Sequence, residues 1–412
     1  MPVELPREKG DEHEPSPPNV VNWLALLVIT IVVGAVYTLT TWPPGDPANT
    51  ARFWIQLFGW PFLAWAGSFG LRTLYWEQEC ARIEAGNTAR QEDRREGIKF
   101  AGEPLAVLGY SYLTGAGTNG VSTLLCNKYG NGSSTKDSGG ERSQYDSLGL
   151  AGDDEDPTRY QACFKELTSS IARAIRLLPS EIPLSIRLQL PENVNRDALL
   201  EAWRGIWSSA KLRPAIISLV FPDRGVMELD EWLDIRGGPT LERCTLYVSA
   251  RLREGPTGQG AEAATAILLG WAPLARRHGI RPIALLHRPV ESPPQDFESA
   301  IARALLWGEA SLDRVEDVWL SGIGGREKVA IAKYIEPQAA TRRKGGDVEA
   351  IRDISSFLGD VGEVSAWLAI ALGIENALHA KCPQLVASRE GTLRFSVVQQ
   401  DENEQDHAGT EA

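Results

Sequence analysis

The stretch LSIRLQLPENVNRDALLEAWRGIWSSAKLRPAIISLVF, residues 184–221, decides the fold class. Leu184 to Leu190 alternates apolar and polar side chains, the period of a strand with one face buried. Asn195 to Ala210 carries apolar residues at helical spacing. Ala215 to Phe221 is a largely apolar run, which reads as a buried strand. Strand, helix and strand in close succession argue for a layered α/β domain.

The alternation continues on both sides. Upstream, Pro104 to Thr114 is β-rich and Tyr160 to Leu178 has helical spacing. Downstream, strands are predicted at Cys244 to Leu252, Ala261 to Leu269, Ile283 to His287, Val315 to Leu320 and Leu393 to Val398. Helices are predicted at Ala272 to His278, Phe297 to Trp307 and Val364 to Ala377. One α/β domain therefore occupies residues 100–398, interrupted by a Gly-, Ser- and Asp-rich flexible loop over 127–157. Residues 399–412 are acidic and almost without apolar side chains, the composition of a disordered tail.

Composition removes several classes of function. The 412 residues carry 54 acidic and 42 basic side chains, a net charge of -12 and a pI near 5.1, so no nucleic-acid partner is expected. The five Cys are scattered, without a disulfide framework. The five histidines, His13, His278, His287, His379 and His407, show no metal-ligand spacing, and neither a metal nor another cofactor is predicted.

Val20 to Trp42, VVNWLALLVITIVVGAVYTLTTW, holds no charged residue. At 1.5 Å per residue it covers the ~30 Å hydrocarbon core of a bilayer, with Trp23, Tyr37 and Trp42 toward its ends. The preceding tail is long and acidic and no small-residue cleavage site follows, so the run reads as a span and not as a secretory signal. A second run, Phe53 to Leu71, lies between Arg52 and Arg72 and reads as a second span. Its Gly59, Pro61, Gly67 and Gly70 are better tolerated in lipid than in a soluble helix, because neighbouring helices re-satisfy freed backbone groups.

The expected organisation is a disordered tail over 1–19, a two-span hairpin over 20–75 and a charged juxtamembrane helix over 76–99. Residues 20–42 and 53–75 would contact the bilayer. The linker between the runs carries only Arg52. The flanks carry Arg7 and Lys9 on one side, and Arg72, Arg82, Arg90, Arg94, Arg95 and Lys99 on the other. Lys and Arg collect on the cytoplasmic face, so both termini and the main domain are expected in the cytoplasm of a bacterial inner-membrane protein.

Three segments of the second half bear on family. GQGAEAATAILLGWAPLARRHGIRPIALL (258–286) is similar to the glycine-and-glutamate strand of the β-ketoacyl synthases, with its following helix and returning strand. ALLWGEASLDRVEDVWLSGIGG (304–325) resembles the stretch in which their first active-site histidine loop follows a strand. FLGDVGEVSAWLAIAL (357–372) resembles the helix start after their second histidine, and REGTLRFSVVQ their final strand. The chain thus resembles the thiolase-like superfamily, which implies a layered thiolase-like α-β-α domain.

The departures carry the functional expectation. Ser321 and Ser356 stand where the resemblance places the two histidines. No Cys opens a helix directly upstream of the Cys244 strand, and Cys163, in QACFKELTSSIARAI, lies too early in the order. A condensing enzyme needs a thiolate and two histidines to hold the thioester oxyanion. The expectation is therefore a degenerate fold that binds a protein partner as an adaptor, with a homodimer also compatible. A membrane-anchored accessory of type VI secretion is one setting. The competing reading is an enzyme acting on acyl thioesters or lipids through Cys163 or a serine.

Gly115 to Gly120, GAGTNG, fits G-x-G-x-x-G after a predicted strand, but only the short stretch VSTLLC follows before the Gly- and Ser-rich loop, and Asp137 is its best-spaced acid. A plain turn is expected there rather than a phosphate cradle. Asp360 and Glu363 are expected to complement a helix start, and the Arg342-Arg343-Lys344 run to be an exposed loop.

Overall fold

The computed structural model describes residues 4–6, 15–45, 47–130, 145, 147–150, 157–221, 224–253, 260–293, 296–339 and 350–401. Most of the two tails, most of the predicted loop, Asp137, His13, His407 and the Arg342–Lys344 run lie outside the described residues. The chain divides into two compact units, Glu4–Gly97 and Ile98–Ala412.

In the first unit, α1 (Val20–Thr41) opens on Asn19, whose side chain accepts the Val21 N–H. A short α2 (Ala51–Trp54) passes through a π turn, Ile55–Gly59, into α3 (Trp60–Ala101). The π turn has an identifiable cause in Pro61. Proline has no N–H to give, and its ring would strike the carbonyl four residues earlier, at Leu57. The second apolar run is thus helical but broken, and the charged helix expected over 76–99 continues the same helix, α3. Among the described residues one helix, Val20–Thr41, is long and apolar enough to cross a membrane; the second apolar run, broken by the π turn, does not meet that criterion.

The two helical stretches of this unit are joined by specific contacts. Trp65 Nε1 donates to the Trp23 carbonyl at 2.7 Å, and the Trp23 and Phe69 rings meet at 5.4 Å. Trp42 and Phe53 meet edge-on at 5.0 Å. Between these aromatic pairs, a Cβ on Gly34 would stand 2.2 Å from Pro61 Cγ, so only glycine fits.

The second unit opens with β1 (Leu105–Thr114), α4 (Val121–Gly130), α5 (Pro157–Arg176) and β2 (Leu184–Gln189). Next come α6 (Arg196–Ser209), β3 (Ile216–Val220), α7 (Glu228–Leu233), β4 (Cys244–Arg251), β5 (Ala263–Trp271) and α8 (Ala272–Arg277). The chain continues through β6 (Ala284–Leu286), β7 (Val290–Glu291), α9 (Phe297–Trp307), β8 (Val318–Ser321) and α10 (Gly325–Ala339). It ends with β9 (Ile351–Asp353), α11 (Ile354–Leu358), α12 (Ser365–Ala380), β10 (Gln384–Glu390) and β11 (Thr392–Gln399). The predicted elements are present with ends shifted by a few residues. Unpredicted were α4, which enters the expected loop, and α7, α10, α11, β7, β9 and β10.

The strands form one mixed sheet in the order β3-β2-β4-β5-β1-β6-β11-β10-β8-β9, with β7 added beside β11. That order is a duplication. From one edge, β3, β2 and β4 run parallel, β5 is antiparallel to β4, and β1 is antiparallel to β5. From the other edge, β9, β8 and β10 run parallel, β11 is antiparallel to β10, and β6 is antiparallel to β11. Both halves therefore place their third, second, fourth, fifth and first strands in the same order, and β1 meets β6 antiparallel at the centre.

Both faces of the sheet are covered, and the alternation of β5 shows how. Ala264, Ala266 and Leu268 join one apolar cluster with α5 and α6, while Ala263, Ile267 and Leu269 join another with α7 and α12. In β1 a bulge between Val107 and Gly109 exchanges the faces, so Leu105 and Val107 share a cluster with Tyr112. Residues Ser365 to Ala377 of α12 are buried without exception, as a helix apolar almost all round requires.

Candidate functional site

The two serines of interest lie at the carboxyl ends of β8 and β9, where ligands bind in many open α/β sheets. The strands pair in parallel, Leu320 beside Asp353, and the Gly322 N–H donates to Ser355 Oγ at 3.0 Å. The segments carrying Ser321 and Ser356 are thereby brought together. Their hydroxyls lie in different environments. Ser321 is fully buried in register with Ser388 of β10, and its Oγ has no hydrogen-bond partner among the described residues. Ser356 is exposed in the first turn of α11, where Asp353 caps the helix. Asp353 accepts the Ser356 N–H at 3.2 Å, the Ser356 hydroxyl and the Lys328 ammonium. A hydroxyl donating to an ion-paired cap is held as a structural group.

The helix start upstream of β4 meets these strand ends through β10, whose Ser388 pairs with Ser321 and whose Glu390 reaches Val226, so the two halves form one junction. A 3₁₀ turn, Gly225–Met227, leads into α7, and no Cys is present in it. The Val226 N–H donates to Glu390 Oε2 at 3.1 Å, and Glu390 is paired with Arg394. Burial pushes the Glu390 carboxyl above the usual carboxylate range, against the pull of Arg394. Gly225 has φ +47°, and a Cβ there would stand 2.1 Å from Glu390 Oε2. Trp367 Nε1 donates to Gln189 Oε1 at 2.6 Å, and its ring stacks on Tyr247 at 4.7 Å, both rings buried.

The GAGTNG loop is closed by the protein itself. Glu375 of α12 accepts the Tyr112 hydroxyl at 2.8 and 2.9 Å, the Gly120 N–H at 2.8 Å and the Ser122 N–H at 2.9 Å. The Val121 N–H donates to the Tyr112 oxygen at 3.1 Å. The first-turn amides of α4, which a phosphate would need, are already used, and the carboxylate complements the helix dipole. Burial, with Glu375 nearby, pushes Tyr110 up to about 12 and Tyr112 further in the same direction. The loop is a turn.

Cys163 is buried in α5 between the sheet and α6, and burial followed by the nearby Glu262 charge pushes its thiol up to about 12. A thiol so held is a poor nucleophile at neutral pH. His287 is buried with its Nε2 at 2.8 Å from Gln399 Nε2, and burial lowers it to about 4. Asp360 accepts the Gly362 N–H at 3.0 Å and Glu363 lies 3.9 Å from Arg251, the contacts of a helix start. Among the described residues no group of three His, Cys, Asp or Glu side chains could hold a metal ion.

The residues that organise the site were not singled out from the sequence. Glu375 had a legible signal, as a carboxylate inside the apolar run SAWLAIALGIENALHA. Its neighbour Asn376 belongs to a second buried network, donating to Asp317 Oδ2 and Gln384 Oε1 at 2.9 Å each, while Arg352 reaches Asp317 Oδ1 at 2.8 Å. Glu390 and Arg394 gave no such signal, since the hairpin joining them was not predicted.

No protein-family model matches this sequence, and no curated protein matches it. Among solved structures, the chain is similar to an oxazolomycin ketosynthase domain, OzmH KS8, of Streptomyces albus JA3453. The identity is 13% and the TM-score 0.48, over 73% of this chain and 96% of that one. It is similar to the ketosynthase from module 1 of the bacillaene synthase of Bacillus amyloliquefaciens FZB42, at 12% identity and a TM-score of 0.49, over 73% and 77% of the two chains. Ketosynthase twelve of the bacillaene polyketide synthase of Bacillus amyloliquefaciens matches at 12% and 0.49, over 73% and 76%. At these identities and scores the likenesses carry no chemistry to this chain, whose mixed α/β architecture rests on its own strand order.

Proposed function

We propose that this chain is a membrane-anchored binding protein. A helical hairpin holds it in the bacterial inner membrane, and a thiolase-type domain without condensing chemistry acts in the cytoplasm as an adaptor for a protein partner. An accessory role in a secretion assembly such as type VI is the setting this architecture suggests. The observation that carries the reading is the helix start at Gly225–Val226. A condensing enzyme would present a thiolate and free amides in this position. Here a carboxylate takes the Val226 amide, and any side chain at 225 would collide with it. The serines at the histidine positions are a buried hydroxyl and a helix-cap partner, so neither assists an oxyanion.

The anchor is supported by the uncharged α1 and by the aromatic and Gly34–Pro61 contacts that join it to the second apolar run. A homodimer is compatible with β3, an edge strand with Ile216 and the following Phe221 exposed. The test is intact-mass analysis of the detergent-solubilised chain after incubation with acetyl and malonyl thioesters. The expected result is an unmodified mass and no thioester consumption. A stoichiometric adduct on any Cys or Ser, lost on denaturation before incubation, would overturn the reading in favour of an acyl-transfer enzyme.

A further inference from the structure

Away from the junction, one cleft of the α/β unit joins an apolar floor to an unbalanced charge. It has a volume of about 460 Å³ and opens between the start of α9, the first turns of α10 and the β10–β11 hairpin. Pro293, Phe297, Ala330 and Leu393 form its apolar part. Its charged residues are Arg326, Glu327 and Arg389. Arg389 donates to Glu327 and cancels it, whereas Arg326 has no ion-pair partner among the described residues. Among the lining residues two guanidinium groups stand against one carboxylate, leaving one positive charge for a monoanion, while Glu291, outside the lining, is engaged by Thr392.

The cleft is separate from the blocked helix start although the same hairpin serves both. Successive strand residues point to opposite faces, so Arg389 turns to the cleft while Glu390 reaches Val226. Its volume lies within the ~300–1,000 Å³ of small-molecule sites, which combine apolar walls with a few placed polar groups. At ~30 Å³ per water-sized volume it has room for an apolar body of roughly eight carbons together with a head group.

We propose that this cleft binds a small amphipathic monoanion, a medium-chain carboxylate with its chain on Phe297, Pro293, Leu393 and Ala330 and its head group on Arg326. The guanidinium suits the head group because its planar fork meets a carboxylate with two parallel N–H bonds. Ser292, buried at the cleft's edge, is not needed for the charge, since its Oγ donates to the Pro293 carbonyl.

The test is calorimetric titration of the full chain in lipid nanodiscs with octanoate, after subtraction of the heat of protein-free nanodiscs, with 1-octanol as the uncharged comparison. Octanoate should bind saturably, one per chain, and octanol at least about tenfold more weakly, as loss of a charged hydrogen bond implies. Arg326→Gln should weaken octanoate by about the same factor and Arg326→Lys by less, because it keeps the charge but loses the fork. Ala330→Trp, on the half-exposed face of α10, should fill the cleft and abolish binding with an unchanged circular-dichroism spectrum. The proposal is overturned by the absence of saturable heat above the protein-free nanodiscs, by equal binding of octanol, or by titrations that Arg326→Gln and Ala330→Trp leave unaltered.

Discussion

His287 shows how burial alone can write a pH dependence into this domain. Its ring is enclosed with Gln399 as the side-chain partner, and burial holds the folded-state value near 4, below the ordinary 6.5. The backbone groups of Trp307 and Gly102 pull the other way without prevailing. Between those two values the unfolded chain binds a proton that the folded chain refuses. Stability is therefore whole above about pH 6.5 and falls as pH drops toward 4, by up to about 3 kcal/mol from this residue. Thermal melts of the solubilised protein from pH 7 to 4 should fall more steeply for the natural chain than for His287→Gln. Parallel curves would show that the folded ring takes up its proton as readily as the unfolded one. From the sequence His287 was one histidine among five, because nothing local encodes enclosure by strands more than a hundred residues away. Ser321 was legible as the residue just after a predicted strand, whereas β9, which leads to Ser356, was not predicted. Their roles were not legible, because those depend on Asp353 and Lys328, and on a buried space that only the folded sheet defines.

Elements with strong local periodicity were the readable ones. The β2–α6–β3 unit was visible because a period of two gives way to helical spacing and then to an apolar run. By contrast, β9 has only three residues at an edge of the sheet, and β10, QLVASRE, does not alternate apolar with polar residues, so neither was readable. The β1 bulge could not be read either, though it explains Gly109. A Cβ at that position would meet Ala174 Cβ at 2.7 Å and Ile171 Cδ1 at 3.0 Å, so α5 closes on β1 through a missing side chain. Gly109→Val should therefore overpack this contact and cost about 1–3 kcal/mol, seen as a lower urea midpoint without loss of secondary structure. Adding Ala174→Gly, which removes the nearest clashing methyl, should return part of that loss once the cost of Ala174→Gly alone is subtracted. Simple additivity of the two changes would mean that β1 and α5 do not approach this closely.

At the scale of the molecule, the duplicated strand order is hidden in the sequence because equivalent elements have diverged in length and composition. The crossover before the fourth strand is the six-residue α7 in one half and the sixteen-residue α12 in the other. The junction is asymmetric as a result, with Glu375 of the long helix tying down α4. On the proposed reading, the orientation of the helical hairpin in the membrane follows from its flanking charges. Only Arg52 lies in the linker between the apolar runs, whereas Arg72, Arg82, Arg90, Arg94, Arg95 and Lys99 follow the second run. Net charge does not set orientation; Lys and Arg within about 15–20 residues of the span ends do, so Arg72, Arg82 and Arg90 count most and the acids interspersed along α3 do not cancel them. Fusions of a periplasm-active phosphatase and a cytoplasm-active fluorescent protein read this directly. After Gln399 only the fluorescent fusion should be active, and within Pro43–Arg52 only the phosphatase. Replacing Arg72 and Arg82 by Gln while adding two Lys to the linker should shift part of the population toward the opposite orientation. If α1 alone crosses and the broken second run stays on the linker's side, both sites will report the same compartment. If the fusion after Gln399 is active only as phosphatase while the linker fusion is fluorescent, the charge argument itself fails.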